Sequence, residues 1–185
     1  MARLEPLQPP YSDAVAGELA KLAPIALFRT LAHNPRVLGR VRRGGLLDPG
    51  TITLRQRELV ILRTCALCGA EYEWGVHVAA FARAAGLAAA EIAATVSGDR
   101  AALPGADDQA LFALCEALHR TATVDDALWD QLAAAFAPDQ LVELVALAGQ
   151  YHAIAYLANA LGIECEPGAP RFRSTTTYLW PVSLS

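Results

Sequence analysis

RELVILRTCALCGAEYEWGVH, residues 57–77, holds most of the chain's reactive side chains, and its reading decides the fold class. Just before it, Thr53-Leu54-Arg55-Gln56 reads as a capping box, with the Thr53 hydroxyl and the Gln56 side chain satisfying each other's backbone N–H groups. Leu59, Ile61, Leu62 and Leu67 then recur at helical spacing. Gly69 interrupts the pattern, and a new helix is predicted from Ala70 to Ala85, stopped by Gly86.

Working outward gives more helices. Upstream, Tyr11–Leu22 and Pro24–Ala32 read as helices, with a break and restart at Asn34-Pro35. Residues Arg40 to Gly50 read as a basic, glycine-rich connection. Downstream, helices are predicted at Ala88–Val96 and Ala106–Arg120, then from the Thr123-Val124-Asp125-Asp126 cap through Phe136, and from Pro138 to Leu161, ended by Gly162. About a fifth of the chain is alanine, the best helix former and a poor strand filler, so an all-α protein is expected. We expect a single all-helical domain over residues 1–165. Pro167, Gly168 and Pro170 rule out a helix beyond Glu166, leaving residues 166–185 as an extended C-terminal tail. That tail carries Phe172, Tyr178, Leu179 and Trp180, too apolar to float free, so it should lie across its own subunit or a neighbour. The flat, weakly charged faces predict an oligomer.

Composition excludes some functions. Net charge is -4 and the pI is near 5.5, against the basic surface that non-specific nucleic-acid binding needs. Hydrophobic residues make up 54% of the chain, yet no run approaches about 18 consecutive apolar residues, so no membrane span is expected. Met-Ala-Arg-Leu-Glu-Pro at the start does not read as a secretory signal, which makes a cytoplasmic protein the expectation. Four cysteines do not make a secreted disulfide framework.

Glu73 and His77 lie four residues apart, on one helical face and within reach of each other. A carboxylate there orients the imidazole and raises its basicity, which suits general acid/base chemistry. If the Gly69 break folds the two helices together, Glu58 meets the same ring. The spacing also fits an exposed Glu–His pair with Glu58 in solvent. Cys65 and Cys68 form a Cys-x-x-Cys: a redox pair, half a metal site, or two small core residues on an apolar helix. No second Cys/His cluster at zinc spacing accompanies it, so no metal is expected. His152, with Tyr156 and Asn159, marks a polar face that either lines the pocket opposite His77 or forms a satisfied core network. His33 and His119 read as helix-end residues, and Cys115 and Cys165 as structural. Arg29, Arg57 and Arg63 are candidates to hold a substrate carboxylate or to serve as surface ion-pair partners.

Residues Glu58–Gly86, together with Phe28-Arg29-x-x-Ala32-His33-x-Pro35, resemble the carboxymuconolactone decarboxylase-like family, whose superfamily includes the alkylhydroperoxidase D-type proteins. Arg57-Glu58-Leu59 and Glu71-Tyr72-Glu73-Trp74-x-x-His77 carry the resemblance. It implies an alkylhydroperoxidase D-like helical bundle, assembled as a homotrimer or homohexamer. The family's peroxidase branch uses a glutamate, a Cys-x-x-Cys opening the next helix, and a histidine four residues beyond the second cysteine. Glu58 and His77 match the glutamate and histidine, but the cysteine positions fall on Ala70 and Glu73. Cys65 and Cys68 sit five residues earlier, near a helix C-terminus, where the dipole disfavours a thiolate.

The resemblance thus implies acid/base chemistry without a cofactor on a small carbonyl or lactone acid, by decarboxylation, isomerisation or cyclisation. Glu58, Glu73 and His77 would be catalytic, with Tyr72, Trp74, His152 and Arg29 around a small-molecule substrate. A thiol peroxidase working through Cys65 and Cys68 is the alternative, and a non-catalytic binding module a further one.

Overall fold

Residues 2–172 are described by the computed structural model, and among them every regular element is helical. The helices are α1 (Asp13–Leu19), α2 (Ala26–Leu31), α3 (Pro35–Gly44), α4 (Leu54–Leu67), α5 (Glu71–Phe81), α6 (Ala89–Ser97), α7 (Ala106–Thr121), α8 (Asp126–Ala135) and α9 (Pro138–Leu161), with a 3-10 turn at Arg100–Ala102. The all-α expectation holds.

Local chemistry accounts for the main boundaries. The Thr53 hydroxyl accepts from Gln56 N at 3.2 Å while Thr53 N donates to Gln56 Oε1 at 2.8 Å, so the capping box forms as read. At the other end of α4, Gly69 N donates to Ala66 O at 3.0 Å and Ala70 N to Cys65 O at 2.8 Å. Both bonds need the left-handed Gly69 backbone, φ +63°, and this motif turns the chain straight into α5. Asp125 caps α8 by accepting from Leu128 N, and Pro138 opens α9, which Gly162 ends.

The reading of Arg40–Gly50 as a loop is corrected, because α3 runs on through Gly44. Asn34 caps it and Pro35 takes the first helical position, while Leu38 is buried and Val41 packs on the same cluster. Arg42 and Arg43 reach back to Glu18 on α1 at 2.9 and 3.8 Å. The Gly44-Gly45 pair ends the helix rather than excluding one.

Two apolar clusters organise the chain. The larger one centres on α4 and draws in α5 to α9, and Glu58 to Cys65 are buried at eight successive positions. A smaller one joins α1 to α3 with Tyr72, Ile154, Ala158 and Ile163. By length and composition α9 is apolar enough to cross a membrane. It instead packs one stripe, Leu144, Leu147, Ala148, Tyr151, Ala155 and Ala158, against the other helices.

Past Ile163 the chain crosses α5. Glu166 Oε1 accepts from Ala26 N at 2.5 Å and from the Tyr72 hydroxyl at 2.9 Å, and Phe172 N donates to Glu71 Oε1 at 2.8 Å. The Phe172 ring meets Trp74 edge-on at 5.3 Å. Pro170 O passes so close over Gly75 that a Cβ there would stand 2.5 Å from it. Residues 166–172 therefore lie on their own subunit, whereas Tyr178, Leu179 and Trp180 fall outside the described residues.

Candidate active site

The fold at Gly69 lays α5 against α4 and brings Glu58 to His77. His77 Nδ1 donates to Glu58 Oε2 at 2.8 Å, and Glu58 Oε1 accepts from Arg57 Nε at 2.9 Å. The other ring nitrogen, Nε2, lies 2.9 Å from the Tyr151 hydroxyl on α9 and 3.5 Å from Glu73 Oε1, one turn back on α5. Glu58, Glu73, His77 and Tyr151 are all buried, none more than 5% exposed. Tyr151 also meets the imidazole edge-on, and Phe81 lies against it from the same helix.

Glu73 Oε2 is buried with no hydrogen-bond partner among the described residues. A carboxylate oxygen in that state carries a desolvation cost that only a bound donor or a proton relieves.

Electrostatics follow from this arrangement. Burial alone penalises the imidazolium, but the hydrogen bonds and charges of Glu58 and Glu73 outweigh it and raise the His77 pKa from 6.5 to about 9. At neutral pH the ring is thus charged and both nitrogens donate. Tyr151 is pushed far above the ordinary phenol value, by burial first and then by the Glu73 carboxylate, so it keeps its proton. Arg57 stacks over Phe81 at 5.1 Å and donates through Nη1 to Leu47 O at 2.6 Å. It also lines a cavity of about 230 Å³ with Leu47, Asp48, Pro49, Gly50, Ile52, Leu54 and Glu143, so the buried group adjoins an opening through Arg57.

Several residues named from sequence lie elsewhere. Tyr72 donates its hydroxyl proton to Glu166 and accepts from Leu27 N at 2.9 Å, in the smaller cluster. Trp74 is fully buried and its indole N–H donates to Thr95 Oγ1 at 2.8 Å. Residues 72 and 74 project from other sides of α5 than the Glu73–His77 face, so neither walls the ring. Arg29 sits on α2, where its backbone O accepts from Leu7 N, and none of its described contacts reaches His77. Arg63 is tied to Glu116 and to the carbonyls at the end of α6.

His152 faces away from His77, towards His119 and Cys68, and Tyr151 takes the place expected of it. Tyr151 continues the apolar stripe of α9 and His152 lies beside it, so the phase of that stripe was the signal available.

Cys65 and Cys68 are free thiols. Cys65 is fully buried near Glu73, and burial, then that carboxylate, raises its pKa well above the usual thiol value. Cys68, at the C-cap of α4, is also raised by burial. Neither stands at a helix N-terminus, where a thiolate is favoured.

Comparison with known proteins agrees with the fold. Residues 35–119 match the model of the carboxymuconolactone decarboxylase family. An uncharacterized peroxidase-related protein from Silicibacter sp. TM1040 superposes with a TM-score of 0.78 at 17% identity, covering 93% of this chain and 96% of that one. A second, described as an alkylhydroperoxidase AhpD core from Ralstonia eutropha JMP134, gives 0.72 at 14% identity over 88% and 93%. The debrominase Bmp8, in a C82A form with 2,3,4-tribromopyrrole, gives 0.68 at 17% identity over 88% and 91%. No curated protein matches the sequence. At these identities the superpositions speak for the fold alone.

Proposed function

We propose that this chain, whose residues 35–119 match the carboxymuconolactone decarboxylase family model and whose helices superpose on alkylhydroperoxidase-like structures, is a cofactor-free acid/base enzyme acting on a small carbonyl or lactone acid. One observation carries the reading: His77 held between Glu58 and Tyr151, beside a Glu73 oxygen that lacks a partner among the described residues. Arg57, at the recess by Leu47–Gly50, receives the substrate carboxylate or lactone oxygen. In a decarboxylation the C–C bond to the carboxylate breaks and its electron pair moves into the conjugated carbonyl. The Nε2 proton of His77, relayed through the Tyr151 hydroxyl, then forms the new C–H bond. Solvent returns a proton to the ring, so atoms and charge balance. In an isomerisation Glu73 first removes the proton that His77 later replaces elsewhere. Either scheme asks of the positioned acid about 10²- to 10⁴-fold of rate.

The test uses unsaturated lactone acids in D₂O, following carbon dioxide release and deuterium at the product carbon. The wild type should incorporate one deuterium per turnover, and Glu73→Gln and His77→Ala should each lose at least about 100-fold in kcat. Turnover at the wild-type rate in both variants sinks the assignment.

The thiol-antioxidant alternative has less support, since both thiols of Cys65 and Cys68 are raised and Cys65 is sealed. It predicts two thiols lost to stoichiometric peroxide and restored by dithiothreitol, whereas the acid/base reading predicts thiols indifferent to peroxide.

A further inference from the structure

Cys68, His119 and His152 are 51 and 33 residues apart in sequence, yet their side chains converge at the edge of the bundle. Cys68 caps the end of α4, His119 lies in the last turn of α7, and His152 lies midway along α9. His119 Nδ1 stands 3.7 Å from Cys68 Sγ and 3.1 Å from His152 Nε2, and the three ligand atoms all lie within 4.8 Å of one another. This is a different site from the Glu58–His77 group, because His152 turns away from it.

We propose that Cys68, His119 and His152 bind one divalent transition-metal ion of the zinc class through one thiolate and two imidazoles. The separations carry the argument. Tetrahedral zinc with bonds of about 2.3 Å to sulfur and about 2.05 Å to nitrogen sets ligand atoms roughly 3.3 Å (N to N) and 3.6 Å (S to N) apart. The His119–His152 and His119–Cys68 edges are within a few tenths of an ångström of those values, so only the Cys68–His152 edge has to close. His119 is exposed and both its partners are half-buried, so the side chains have room to make that adjustment.

The surroundings prepare the ligands as well. His152 Nδ1 donates to Ala148 O at 2.8 Å, which leaves Nε2 bare and aimed into the cluster. Asn159 Nδ2 donates to Cys68 O at 2.9 Å and holds the cysteine backbone. Binding replaces the Cys68 thiol proton by the metal and releases it to solvent. Three protein ligands leave a fourth position for water or an exogenous anion, the pattern of an open site.

The test takes the untagged full chain, stripped with chelator and kept reduced, and titrates it with Co²⁺. One equivalent should produce a near-ultraviolet thiolate-to-cobalt band and the visible bands of four-coordinate cobalt, both abolished by Zn²⁺. Cys68→Ser should remove the thiolate band, and His119→Ala or His152→Ala should weaken binding by more than about 100-fold. Cys165→Ser should leave the spectrum unchanged. A wild-type titration without the thiolate band, or a band that survives Cys68→Ser, overturns the site and leaves a hydrogen-bonded cluster only. All the positions changed are exposed or half-buried, and circular dichroism separates unfolding from lost ligation.

Discussion

The His77 proton is the group whose titration this interior feels most. Its folded pKa of about 9 lies above the unfolded value near 6.5, so the charged ring stabilises the fold fully below about pH 6.5. That contribution, on the order of 3 kcal/mol, drains away as pH rises through 9. Thermal unfolding across pH 6 to 10 should therefore show a falling Tm above neutrality, and His77→Gln should flatten the profile. Glu58→Gln should cost about 3 kcal/mol, because it leaves a buried charge without its counterion, and should bring the His77 titration down in a histidine NMR experiment. An unmoved titration would show that Glu58 does not hold the charge. Tyr151→Phe keeps the ring packing and removes the hydroxyl, so it should reduce turnover far more than stability. Two of these residues, Glu58 and His77, were legible from spacing and the family resemblance. Tyr151 was not, because the polar letters His152, Tyr156 and Asn159 outweighed the phase of the apolar stripe on the same helix.

Among the elements, the ends of helices make the clearest contrasts. Gly69 and Ala122 both adopt left-handed backbone, φ +63° and +57°, but only glycine does so without a Cβ penalty. Gly69→Ala should lower stability by about 1–2 kcal/mol although nothing crowds its Cβ. Ala122→Gly at the end of α7 should raise it by up to about 1 kcal/mol, read from chemical denaturation of the two variants side by side. Equal midpoints would show that the caps carry no strain. Most helix boundaries were legible because capping residues, Pro at the first turn and Gly at the last are local signals. The stretch Arg40–Gly44 failed that way. Its glycines and arginines looked like a loop, while the forces that keep it helical, burial of Leu38 and the reach of Arg42 to Glu18, come from elsewhere in the chain.

Across the whole molecule, Glu166 fastens the segment after α9 to both α2 and Tyr72, so Glu166→Ala should loosen both ends of the chain and lower Tm by several degrees. Gly75→Ala should do the same by lifting Pro170 from α5. Val142 and Tyr156 of α9 expose 71% and 66% of their surface, and Trp129 of α8 exposes 46%. These apolar side chains support our proposal of a homotrimer or homohexamer, and sedimentation velocity of the full chain should give that mass. A monomer at micromolar concentration would refute it. Such long-range ties escaped a reading of local pattern because they join residues far apart in the chain, Tyr72 and Glu166 by 94 positions and Ala26 and Glu166 by 140. The enclosure of α4 reaches further still. A helix walled in by α5, α6, α7 and α9 has no outer face from which it can fray. In heavy water its mid-helix amides, from Leu59 to Cys65, should thus exchange last and together, at the rate at which the whole chain opens.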